Sequence, residues 1–286
     1  MGRFFGCCAL VFLLAAGGAQ AEYVLHVLHT NDVHSRIEPV NRFNATCSAE
    51  DDAAGECFGG VARMATKLRE LRAELEAEGA NVITVDAGDQ FQGSLMYTTY
   101  KGAAAAEFMT ALEYDAMAVG NHEFDDGPIK LADFIAAVPF PVISGNIDVS
   151  GEPLLAEVVA DRVIFEIGGE LIGVVSALAT DTVDTSSPGP NVIFNDEVEA
   201  LREDVAALQA EGVNKIIAVT HVGLNRDLEI AAEVPGLDAV VGGHSHSLLS
   251  NEAENAVGPY PIMVGDTPVV QAGAYSRYIG HLVLAF

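Results

Sequence analysis

The sequence predicts an α/β domain with mixed strands, layered so that helices lie outside and sheets inside. Three observations point there. Strand-like and helix-like segments alternate along the chain. The 286 residues, half of them hydrophobic, suffice for one large domain with a sizeable core. The densest polar clusters directly follow strand-like segments, where α/β proteins build their sites.

The segments run in order. Tyr23 to His29 alternates apolar and polar residues and predicts a strand leading into Asn31-Asp32-Val33-His34. Val61, Met64, Ala65, Leu68, Leu71 and Leu75 recur at helical spacing, and Gly79 ends that helix. Val82 to Val85 is a short apolar strand before Gly88-Asp89-Gln90-Phe91-Gln92-Gly93-Ser94. Ala103 to Leu112 predicts a helix, and Ala116 to Val119 a strand entering Gly120-Asn121-His122-Glu123-Phe124-Asp125. Ile129 to Ala137 is helical and Pro141 to Ser144 extended. Val163 to Ile167 and Leu171 to Ser176 flank Gly168-Gly169 as a hairpin. Thr185 to Pro190 is a loop within the domain rather than a linker. Val198 to Leu208 predicts a helix, Lys215 to Thr220 a strand ending at His221, and Ala239 to Val241 a strand ending at Gly242-Gly243-His244-Ser245-His246. Val269 to Gln271 and Ile279 to Leu284 close the chain with strand patterns, and the abrupt stop at Phe286 points to a further domain beyond it.

The formal net charge of −27 argues against nucleic-acid polymers and anionic membrane surfaces as partners. It leaves anionic small molecules open, because bound dications reverse the field inside a cleft. At the N-terminus, Arg3 precedes an apolar run from Phe4 to Ala16, and Ala19 and Ala21 form a small-residue cleavage signal. Residues 1–21 therefore read as a secretory signal peptide, which leaves 22–286 as the mature chain in a periplasmic or secreted setting. The run is too short to span a bilayer, so no stable membrane insertion is expected. In an oxidising compartment Cys47 and Cys57 pair by default across the short acidic loop between them.

Five of the predicted strands run straight into candidate metal ligands. Imidazoles mixed with carboxylates and an amide oxygen make a borderline donor set, suited to Zn, Mn, Fe or Co rather than to Ca. The Asp32-x-His34 spacing places both side chains on one face of extended backbone. His244 and His246 share that spacing and serve different ions only where the backbone turns. His26, His29 and His281 read as packed histidines, Ser94 lacks a base to make it a nucleophile, and Arg36 and Arg277 read as surface residues.

The strings LHTNDVHSR, DAGDQFQGS, GNHEFD, THVG and GGHSHS, in this order and spacing, resemble the calcineurin-like metallophosphoesterases. They are most similar to the group of 5′-nucleotidases, UDP-sugar hydrolases and 2′,3′-cyclic-nucleotide phosphodiesterases. The resemblance runs from about Tyr23 to the C-terminus and takes in the Cys47–Cys57 loop. It implies a layered α/β/β/α sandwich and two divalent transition-metal ions, Zn or Mn foremost, with Co or Fe as alternatives. Asp32, His34 and His246 would hold one ion, Asn121, His221 and His244 the other, and Asp89 would bridge them. His122 and Asp125 would form the catalytic pair. The implied activity is hydrolysis of nucleotide phosphate monoesters by a metal-activated water. The alternatives are cyclic-nucleotide phosphodiesterase or UDP-sugar and nucleotide pyrophosphatase chemistry and, in another class, an inactive binding module that retained its metals. The intact His122 and Asp125 argue against that last reading. The partner is a small nucleotide, and the family's C-terminal nucleotide-specificity domain is absent from this sequence. His246 stands where the group often has an amide, a departure that bears on metal preference more than on activity.

Overall fold

A computed structural model describes residues 22–286, so the predicted export segment and its cleavage site lie outside the described residues. The first half runs β1 (Val24–Thr30), α1 (Ala49–Ala53), α2 (Val61–Ala77), β2 (Asn81–Asp86), α3 (Leu95–Tyr100), α4 (Gly102–Ala111), β3 (Ala116–Ala118), a 3-10 turn (Asn121–Phe124), α5 (Pro128–Ala137), β4 (Val142–Ile143) and β5 (Ile147–Asp148). The second runs β6 (Arg162–Ile167), β7 (Glu170–Leu178), α6 (Thr182–Thr185), β8 (Ile193–Phe194), α7 (Glu197–Ala210), β9 (Lys215–His221), α8 (Leu224–Glu233), β10 (Ala239–Val241), β11 (Ile262–Val264), β12 (Thr267–Val270) and β13 (Gly280–Ala285).

Two sheets carry the fold, ordered β13-β1-β2-β3-β4 and β11-β12-β10-β9-β7-β6. Strands β1 to β4 run parallel, as do β7, β9, β10 and β12, while β13, β6 and β11 pair antiparallel. Alternation within the strands sorts side chains into three apolar seams. Leu25 and Val27 of β1 meet Val174, Ile217 and Val241 of the other sheet in a central seam. Leu28, on the opposite face of β1, packs with Leu68, Met109 and Phe134 of the helices covering the first sheet. Val175, Ala218 and Val240 meet Leu201, Leu208 and Ile230 of the helices covering the second. The result is the expected α/β/β/α sandwich.

Helix α8 is absent from the sequence-based elements. Leu224, Leu228 and Ala231 recur in it at helical spacing, and Ile230 and Ala231 are buried by docking on the second sheet. Cys47 and Cys57 are disulfide-bonded, their Cα atoms 5.8 Å apart, and the loop they close folds into α1 behind an N-capping Ser48. Arg36 and Arg277 are half-buried rather than free on the surface. Arg36 lies over the Tyr275 ring at 5.5 Å, and Arg277 lies over Phe58 at 5.3 Å while donating to the Asn41 carbonyl. His29 is buried in the central seam, stacked parallel to Tyr260 and hydrogen-bonded to its hydroxyl at 2.8 Å.

Candidate metal centre

The loops after β1, β2, β3, β9, β10 and β12 leave the parallel strands at their C-terminal ends, and both sheets contribute to one polar site there. The Asp32-x-His34 pair converges, but not through extended backbone. Asp32 and His34 both sit at φ 51°, in the left-handed region, so a turn rather than a pleat brings their side chains together. Backbone bonds from Asp32 and His34 to the Gly88 and Asp89 carbonyls pin that turn to the loop after β2. His244 (φ 73°) and His246 (φ 52°) also turn, and the turn sends their rings to different partners.

One cluster joins Asp32, His34 and His246. His246 Nε2 lies 3.2 Å from Asp32 Oδ1 and 2.9 Å from His34 Nε2. A second joins Asp89, His221 and His244, with Asn121 Oδ1 2.9 Å from His244 Nδ1 and 3.2 Å from His221 Nε2. Asp89 lies between them. Its Oδ1 accepts the His122 N–H at 2.9 Å, which leaves Oδ2 3.1 Å from His221 Nε2 and 3.8 Å from His34 Nε2. His122 stands beside this pair, its Nδ1 2.8 Å from Asp125 Oδ2 and its ring 5.2 Å from that of His34. All nine residues that the sequence assigns to the ions and the catalytic pair thus meet, while Cys47 and Cys57 lie apart.

The electrostatics follow from burial opposed by charge. Burial alone would raise Asp89, but the charge of His221 and a hydrogen bond to it, then His34 and His122, pull its carboxyl well below the usual range. Burial likewise lowers His221, yet Asp89 and Asp32 outweigh it and hold His221 at about 10. His34 and His244 fall below the ordinary histidine value, first through burial, against the pull of Asp89 and Asp32. For His122, burial is overcome by the Asp125 hydrogen bond and the charges of Asp89 and Asp125, and the net shift is upward.

The donor set fits a cation. Asp32 Oδ1 is fully buried, has no hydrogen-bond partner, and faces His246 Nε2. An unpartnered buried carboxylate oxygen is costly unless a positive charge meets it. The imidazoles are pre-oriented: His221 Nδ1 donates to the Ala87 carbonyl at 2.6 Å, and His34 Nδ1 faces the Phe91 carbonyl at 3.3 Å, so each turns Nε2 into the site.

Several supporting residues escaped the sequence reading. Glu123 is fully buried and accepts four backbone N–H bonds: Gly120 and Asp89 on Oε2 (2.7 and 2.9 Å), Gln90 and Phe91 on Oε1 (2.8 and 3.1 Å). It thereby clamps the loop after β2 to the loop after β3. Gly120 makes that approach possible, since a Cβ there would overlap Asp89 N and Oδ1. Asn31 donates to Asp32 Oδ2 at 2.6 Å and ties the first loop to Gly273 and Ala272. Gln271 donates to the Gly243 carbonyl and accepts from the backbone of Ser247, holding the loop that carries both distal histidines. An acidic residue inside Gly120–Asp125 was visible in the sequence, but its four N–H partners come mostly from a loop about thirty positions away.

Residues 25–248 match the family model of calcineurin-like phosphoesterases, and the chain belongs to that family. Membership implies divalent metal ions, in keeping with the ligand clusters. The chain is 44% identical to a 5′-nucleotidase of Diplobatis ommata, over 98% of its own length and 49% of that relative's. Among solved structures it is similar to the 5′-nucleotidase precursor from Thermus thermophilus (TM-score 0.82, 40% identity, 91% of this chain and 51% of that one). It is also similar to the NAD nucleotidase of Haemophilus influenzae (TM-score 0.83, 30% identity, 93% and 53%). The chain spans about half the length of the curated relatives it matches. Among the described residues no helix is long and apolar enough to cross a membrane.

Proposed function

We propose that residues 22–286 are the catalytic domain of an exported, metal-dependent phosphoesterase that hydrolyses phosphate monoesters of nucleotides. The observation that carries this reading is a pair of ligand clusters sharing one carboxylate, Asp89, with the His122–Asp125 pair beside them. Asp32, His34 and His246 would hold one divalent ion, and Asn121, His221 and His244 the other. Zn or Mn suits these donors best, followed by Co or Fe. When bound, such ions neutralise phosphoryl oxygens and make water a competent nucleophile near neutral pH. The remaining work falls to the chain's own side chains. Asp125 engages His122 Nδ1 and so leaves Nε2 to face a phosphoryl oxygen or the leaving group. Asp89, already held through Oδ1 by the His122 N–H, keeps Oδ2 fixed between the two clusters.

A second reading, cleavage of nucleotide pyrophosphates, draws support from the 30% identical Haemophilus influenzae neighbour, described as an NAD nucleotidase. Product analysis decides between them. The mature chain, loaded with Zn or Mn, is given AMP, 2′,3′-cyclic AMP, UDP-glucose and an aryl phosphate, and each product is quantified. The proposal expects inorganic phosphate from AMP and the aryl phosphate, abolished by chelation and restored by metal. Release of UMP from UDP-glucose, with no phosphate from AMP, would establish the second reading. Hydrolysis that survives complete chelation would overturn both.

A further inference from the structure

The crossover after β7, which the sequence marks only as a loop, reaches the catalytic pair. Ser186 Oγ donates to Asp125 Oδ1 at 2.8 Å, half-buried between the two sheets' loops. On the other oxygen, Gln92 Nε2 donates to Asp125 Oδ2 at 2.9 Å, beside the His122 Nδ1 bond. Gln92 sits at φ 65°, so the loop after β2 holds a strained backbone where its amide meets Asp125. Asp125 is therefore gripped by three donors from three separate loops, and its carboxylate plane cannot rotate without losing one of them. Ser186, Gln92, Asp125 and His122 together line a polar cleft of about 520 Å³ at the edge of the ligand clusters.

We propose that Ser186 is a positioning residue for His122, acting through Asp125 and not on the substrate. This rests on the catalytic role of His122 given above. The chemistry is that of an oriented proton donor: a carboxylate fixes an imidazole only as well as it is itself fixed. Gln92 holds the oxygen that already faces His122, so it cannot stop Asp125 from pivoting about that bond. Ser186 holds the opposite oxygen and blocks the pivot. Without it the imidazole samples orientations in which Nε2 leaves the phosphoryl position, and turnover falls while substrate binding does not.

The test compares Ser186→Ala, Ser186→Thr and His122→Ala in the metal-loaded chain, with metal content and thermal unfolding measured for each. Ser186→Ala is expected to lower kcat about 10-fold with KM, metal content and melting unchanged, on the scale of one lost hydrogen bond to a charged group. Ser186→Thr, which keeps the hydroxyl, should restore most of kcat. On an Asp125→Ala background, Ser186→Ala should cost nothing more. As a readout independent of turnover, the His122 Nδ1 proton should exchange faster in Ser186→Ala by NMR. A Ser186→Ala enzyme with parental kcat, while His122→Ala loses turnover, would overturn the positioning role and leave the His122 reading standing. Parental kcat in both would sink the His122 reading and the inference with it. Loss of metal or melting temperature in Ser186→Ala would reduce its role to structure and also overturn the inference.

Discussion

Gly120→Ala tests how the two central loops are held. Gly120 has φ −98° and ψ 172°, a conformation open to alanine, so the substitution strains no backbone. The cost is steric. The added methyl would overlap Asp89 N and Asp89 Oδ1 and lie 2.7 Å from Glu123 Oε2. Ordinary carbon contacts with nitrogen or oxygen need more than about 3 Å, so the loops after β2 and β3 must part by most of an ångström. That motion strains the Gly120 and Asp89 bonds to Glu123 and the His122 N–H bond to Asp89 Oδ1. Overpacking costs about 1–3 kcal/mol, and three weakened bonds add roughly 1 kcal/mol each. A total of about 4–6 kcal/mol lowers the melting temperature by roughly 8–24 °C for a domain of this size. Because Asp89 is displaced, metal affinity falls as well. Calorimetry with and without metal, and chelator competition, measure both effects. Gly79→Ala is the control: its φ is 70° with nothing within 4 Å, so it strains the backbone without crowding and should cost only about 1 kcal/mol. If Gly120→Ala melts within 2 °C of the parent and binds metal equally well, roughly on the scale of measurement error, the crowding argument is wrong.

Other outcomes follow from the same geometry. His122→Ala should lower kcat about 10²-fold or more while both ions stay bound. Asp89→Ala should release metal, and elemental analysis showing the reverse pattern would refute the assignment. Reducing Cys47–Cys57 should cost about 3 kcal/mol by the chain-entropy model and leave metal content unchanged, since the bridge closes a loop of its own. Free thiols found by mass spectrometry without reductant would contradict the bridge. Burial first, then the charge of His281, holds His29 at about 3 against an ordinary 6.5. The unfolded chain therefore binds a proton below pH 6.5 that the folded chain refuses, so this contribution is intact above 6.5 and is lost as pH falls towards 3. His29→Phe keeps the ring beside Tyr260 and should make urea stability fall more gently between about pH 6.5 and 4, by up to about 1.4 kcal/mol per pH unit. Identical slopes in parent and variant would exclude the buried neutral histidine.

The layered α/β class, most of the strands and the residues that meet at the site are legible in the chain's own pattern. They are legible because strands have a period of two, helices one of 3.6, and the ligand types are chemically distinctive. Asp32, Asp89 and Asn121 each follow a strand and His221 ends one, and parallel strands deliver their C-terminal ends to one edge. Tertiary structure alone decided how they meet. The turns at Asp32, His34 and His244 are held by bonds to other loops against the resistance of non-glycine residues to a positive φ. Helix α8 is stabilised by docking Ile230 and Ala231 on the second sheet. Glu123, Gln271 and Ser186 act on partners that are distant in sequence or on other loops, and a hydrogen bond across dozens of residues leaves no periodic trace in the chain.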